Sequence, residues 1–138
     1  MRFMMLMFPA DQCNAAPDAL PSAEAVEQMM RFNKSLQEAG VLLALDGLHP
    51  PSAGARVSIV DGKVRVVDGP FAEAKEVVGG YWIIDVGSRD EAIAWASRCP
   101  IGAGNTIEVR QVFEMTEFPP ELRKAAEGFD DPRRPAAS

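Results

Sequence analysis

Histidine occurs once in this chain of 138 residues, as His49. A metal site built from several imidazoles is thereby excluded, and no carboxylates stand at a recognisable ligand spacing. Cysteine occurs only as Cys13 and Cys99, far apart and outside any CxxC or Cys/His pattern. Such a pair cannot build the disulfide framework of a small secreted domain, so both read as reduced thiols in a cytoplasmic compartment. Long apolar runs are missing too. The N-terminal stretch Met1 to Phe8 is too short for a membrane span or a signal peptide, and Pro9-Ala10-Asp11-Gln12 follows it where small residues would mark a cleavage site. Positive charge is in deficit: 14 lysines and arginines face 20 acidic residues, a net charge of −6. Binding to a phosphate backbone is disfavoured, whereas a small anionic ligand needs only one or two local cations. There is no Walker loop and no nucleophile elbow. Gly102-Ala103-Gly104 is not a dinucleotide fingerprint, because the segment precedes a strand where a helix is required. No metal and no cofactor are expected.

What is present is an ordinary globular composition, 47% apolar and 25% charged. The length is that of one domain able to bury a core without staples. Residues 2 to 8 carry large apolar side chains on both alternating sets, as in the middle strand of a covered sheet. Residues 9 to 21 contain three prolines and read as a loop. Ser22 caps a helix with Ala25, Met29, Phe32, Leu36 and Ala39 on one face, which Gly40 ends. Residues 41 to 45 read as a strand. Residues 57 to 60 and 63 to 67 form a hairpin around Asp61-Gly62, the pair that suits a type I′ turn. Asp68-Gly69-Pro70-Phe71 closes it. A strand over residues 77 to 86 begins at Gly79-Gly80, paired glycines that mark a bulge or a close backbone approach. Ser88 and Glu91 form a capping box for a helix reaching about Arg98 and burying Ala92, Trp95, Ala96 and Cys99. Residues 106 to 113 are the last strand, with Ile107, Val109 and Phe113 on one face.

The order is β-α-β, hairpin, β-α-β, an α+β fold of ferredoxin-like split βαβ type with an inserted hairpin. Residues 1 to 116 are expected to form the domain, and residues 117 to 138 a short helix and a flexible tail. Both helices would lie on one face of the sheet. Strands apolar on both sides cannot leave the other face in water, so a homodimer is expected to cover it.

The stretch Val66-Val67-Asp68-Gly69-Pro70-Phe71-Ala72-Glu73-Ala74-Lys75-Glu76, followed by Gly79-Gly80-Tyr81-Trp82, resembles the DGPF branch of the YciI-like (YCII-related) proteins. Gly47-Leu48-His49-Pro50 and Ala94 to Pro100 carry the same resemblance. It implies a dimeric α+β barrel. Some relatives are similar to enzymes that eliminate halide from chlorinated aromatics with a His/Asp pair, and some are encoded beside extracytoplasmic-function sigma factors. Enzyme-like relatives carry Asp-Pro after the second helix, where this chain has Cys99-Pro100.

His49 is the candidate acid or base, since imidazole ordinarily titrates near neutrality. Asp68 is either its partner or the residue that fixes its own turn. Arg56 and Lys75 are candidate anion holders near Glu73. Phe71 is a candidate pocket wall. Tyr81 and Trp82 alternate on a strand and so face opposite sides, leaving Tyr81 to offer a hydroxyl to a ligand. Three functions fit these residues: a lyase or isomerase acting on a small molecule, a non-catalytic ligand-binding protein, and an interaction module of a regulatory system.

Overall fold

A computed structural model describes residues 1 to 72 and 74 to 129. Glu73 and the expected C-terminal tail lie outside the described residues. In chain order the elements are β1 (Arg2–Phe8), α1 (Ala23–Glu38), β2 (Leu42–Gly47), β3 (Ala55–Val60), β4 (Lys63–Asp68), β5 (Gly80–Asp85), α2 (Arg89–Ser97), β6 (Thr106–Gln111) and α3 (Pro120–Ala125). Four strands form one sheet in the order β2-β5-β1-β6, and every neighbouring pair is antiparallel. β1 and β2 are thus separated by β5, as a split βαβ arrangement requires. The fold is the expected ferredoxin-like α+β class.

Local signals explain the elements. The Ser22 hydroxyl accepts a hydrogen bond from the Ala25 N–H at 3.1 Å, and the Ser88 hydroxyl accepts from Glu91 N–H at 3.1 Å. Each satisfies one of the donors that a helix start leaves without a partner. The capping box at α2 is displaced by one residue, because the Glu91 carboxylate accepts from Gly87 N–H and not from Ser88. Asp61 and Gly62 both have positive φ, 51° and 76°, as the tight hairpin turn demands.

Strand alternation builds the core. The register aligns Phe3 with Ile84 and Met5 with Trp82, and these side chains meet Phe32 and Leu36 of α1 and Ala92 of α2. Both helices therefore cover the same face. The opposite face carries Met4, Leu6, Phe8, Ile83 and Tyr81, and neither α1 nor α2 lies over it. β3 and β4 form a separate two-stranded sheet. One of its faces is a stripe of exposed Val57, Ile59, Val64 and Val66.

Phe113 departs from the sequence reading. β6 ends at Gln111, so the alternation no longer governs residue 113. Phe113 is 74% exposed and stacks on Phe118 with ring centroids 5.4 Å apart. The paired glycines at the start of β5 hold a close approach and no bulge. The irregularity of register lies instead in β2, between Leu42 and Ala44.

Candidate functional site

β2 runs out at Gly47, and the Leu48 N–H then donates to the Gly79 carbonyl at 2.9 Å. Gly79 N–H in turn donates to the Met7 carbonyl at 2.7 Å. These bonds hold the segment before β5 across the ends of β1 and β2. The approach is close, because a Cβ on Gly79 would lie 2.7 Å from Pro9 Cγ. His49 follows on an exposed turn, and buried Pro50 leads into a 3-10 turn over Pro51–Ala53. Proline suits that first position, where its missing N–H costs nothing.

The hairpin is tied to this turn at its base. Gly69 N–H donates to the Gly54 carbonyl at 2.9 Å, and Gly54 N–H to the Pro51 carbonyl at 2.9 Å. A Cβ on Gly69 would sit 1.7 Å from the Pro51 carbonyl oxygen. The residue must be glycine for space, since its φ is not among the positive ones. The peptide from Gly69 to Pro70 is cis.

The result is an open cleft of about 480 Å³, lined by His49, Arg56, Phe71, Glu76, Phe8 and Val77 among others. The Arg56 guanidinium carbon lies 4.1 Å from the centroid of the Phe71 ring, a cation–π stack. Three candidate residues, His49, Arg56 and Phe71, therefore share one cleft. Asp68 and Lys75 do not line it. Asp68 stands opposite Ala55 and Arg56 opposite Val67, so strand alternation puts Asp68 and Arg56 on opposite faces of the hairpin. Among the described residues no hydrogen bond or ion pair joins Asp68 to His49. Glu73, also a candidate, lies outside the described residues.

Residues 1 to 116 match the model of the YCII-related domain family. The chain belongs to that family. It is also 40% identical, over 79 residues, to an uncharacterised protein of Rhizobium meliloti. The match covers 54% of this chain and 64% of that relative, so the chain spans a little under two thirds of the relative's length.

The remaining candidate of this YCII-related chain, Tyr81, lies away from the cleft. Its hydroxyl donates to Asp46 Oδ2 at 2.8 Å. That hydrogen bond, reinforced by loss of solvent and by the carboxylate's charge, raises the phenol above its ordinary 10.0. Tyr81 is therefore held as a protonated donor that already has an acceptor. Cys99 is buried, and burial pushes its thiol up to about 12, which makes it a packing residue and no nucleophile at neutral pH. Among the described residues no group of three or more Cys, His, Asp or Glu could hold a metal ion, and no helix is long and apolar enough to cross a membrane.

Sequence reasoning missed Phe8, Pro50, Val77 and Asn33. Phe8 and Val77 lie far from His49 in the chain and meet it only in the folded cleft. Asn33 sits in a helix whose charged residues all face water. Its Oδ1 accepts from Trp82 Nε1 at 2.8 Å in the core. No spacing in the sequence signals that pair.

Proposed function

We propose that the His49 cleft binds a small organic acid and that His49 shuttles a proton on it, in lyase- or isomerase-type chemistry. The carrying observation is the Arg56 guanidinium stacked on Phe71 in the same cleft as His49. Stacking fixes the plane of the guanidinium and leaves its edge N–H groups for a carboxylate, which they can hold with two parallel hydrogen bonds. Phe8, Pro50 and Val77 supply apolar surface for the carbon skeleton. His49 would take a proton from carbon in the bound acid and return it, so the exchange is balanced without an oxidant or a metal. Asp68 serves the hairpin end in this reading.

The protein works as a homodimer in the same proposal. Two apolar surfaces support it: the sheet face bearing half-buried Met4, Leu6 and Ile83, and the exposed hairpin stripe of Val57, Ile59, Val64 and Val66. Surfaces of this kind are covered in stable proteins, and a second copy is the simplest cover. Phe8 belongs to the open sheet face and also lines the cleft, so a partner would stand at the cleft's edge.

The test is a thermal-shift panel of small mono- and dicarboxylates, followed by proton–deuterium exchange on any acid that stabilises the protein. Wild type should be stabilised and Arg56→Ala should not. His49→Ala should keep the stabilisation and lose the exchange. A panel without stabilisation, or equal stabilisation of Arg56→Ala, refutes the site. Exchange that survives in His49→Ala refutes the catalytic role and leaves a ligand-binding protein. Light scattering should give twice 14.9 kDa, and a clean 14.9 kDa species at micromolar concentration refutes the dimer.

A further inference from the structure

A second hollow lies across the sheet from the cleft. It follows from one level of the strand register. Met7 pairs with Gly80, and Gly80 pairs with Gly47, all on the helix-covered face. Two of these three positions have no side chain. α1 passes above this level with Ala25, Met29 and Met30, and a hollow of about 320 Å³ remains between helix and sheet. Leu45 and Trp82 complete its walls. Its volume is at the small end of ligand sites, which run from about 300 to 1,000 Å³.

The lining is almost wholly apolar, with one buried amide, Asn33. Asn33 is 9% exposed. Its orientation is dictated by its neighbour. The Trp82 indole N–H can only donate, so Oδ1 must face it, at 2.8 Å. Nδ2 is then turned the other way, and its partner is the thioether of Met30 at 3.8 Å. Sulfur is a weak acceptor. A buried amide donor so poorly matched gains from a ligand oxygen within hydrogen-bond reach. The lining contains no cation, so a carboxylate would be desolvated without compensation. The methionine walls adapt to ring shapes and favour aromatic surfaces.

We infer that this hollow binds a neutral one- or two-ring molecule bearing a single carbonyl oxygen, which accepts a hydrogen bond from Asn33 Nδ2. The site is independent of the His49 cleft and of its acid. Trp82 lies in the wall and reports on occupancy, while Trp95 on α2 lines no part of the hollow.

The probe is 2-acetylnaphthalene, titrated against tryptophan fluorescence of the full chain. Saturable quenching is expected. 2-Ethylnaphthalene, which has the rings without the acceptor, should bind roughly tenfold more weakly, equivalent to about 1.4 kcal/mol for the lost hydrogen bond. Gly47→Ile fills the hollow: a Cβ there meets nothing within 4 Å, and φ is not positive. This variant should lose the quenching and keep or raise its melting temperature. Ala25→Leu fills the opposite wall and stands in if Gly47→Ile fails to fold. Three results overturn the inference. They are no saturable quenching up to the ketone's solubility limit (as when a second copy of the chain occupies the hollow), equal binding of ketone and hydrocarbon, and undiminished binding in a folded filling variant.

Discussion

Replacing Gly69 by alanine puts one methyl group where there is no room for it. The new Cβ would stand 1.7 Å from the Pro51 oxygen and 2.5 Å from the Pro51 carbonyl carbon, whereas ordinary contact begins near 3.4 Å. Both obstacles are backbone atoms, so no side-chain rotation relieves the overlap. Roughly 1.7 Å of separation must come from moving the hairpin base away from the 3-10 turn. Movement on that scale breaks the Gly69 to Gly54 hydrogen bond, worth about 1 kcal/mol, and overpacking adds about 1–3 kcal/mol. The total is about 2–4 kcal/mol. β3 and β4 pair with each other and with no strand of the main sheet, so the strain can be relieved by opening the hairpin base alone. The melting temperature of Gly69→Ala should therefore fall by only a few degrees. Hydrogen exchange at the amides of Gly54 and residue 69 should accelerate by roughly 30- to 1,000-fold, the equivalent of that energy. Amides of Trp82 and Ile84, in the core of the sheet, should exchange as in wild type. A folded variant with unchanged exchange at residues 54 and 69 would falsify the close-contact account. Acceleration spread evenly over the core would show that the hairpin is not a separate unit.

Three further outcomes are expected. Asn33→Leu should cost about 2 kcal/mol in urea unfolding, because the buried Trp82 N–H loses its acceptor, and combining it with Trp82→Phe should cost less than the two changes added separately. Purely additive costs would mean that the 2.8 Å hydrogen bond contributes nothing. Alkaline stability should depend on Cys99, whose folded thiol is pushed up to about 12 from 9.0. The unfolded chain loses this proton first, so the contribution is intact below pH 9 and drains away between pH 9 and 12, at up to about 1.4 kcal/mol per pH unit. Cys99→Ala should flatten that part of the stability curve, and an unchanged slope would rule the thiol out as its source. Ser88→Ala should destabilise the protein by about 1 kcal/mol, read as a lower thermal midpoint, through loss of the cap on Glu91 N–H.

Features that depend on near neighbours are legible in the amino-acid order alone. Ser22 and Ser88 cap their helices because a hydroxyl needs only a backbone N–H three residues on. Asp61-Gly62 turns the hairpin because both residues tolerate positive φ. Tyr81 and Trp82 part to opposite faces because side chains alternate along a strand, and the ferredoxin-like order follows from the succession of elements. His49, Arg56 and Phe71 stand out as candidates because their residue types and motif are local signals. Distant pairings arise only in the assembled chain. Strand alternation sets Asp68 on the far side of the hairpin from Arg56, and this depends on which residue opposes which. The need for glycine at position 69 comes from a carbonyl 18 residues earlier in the chain, at Pro51, and from no dihedral preference. The hollow under α1 is defined by side chains that are missing at Gly47 and Gly80, in strands that meet only when the sheet assembles. Its amide donor is aimed by a tryptophan 49 residues away. Contacts of that range have no local signature, since they exist only once the chain has closed its core.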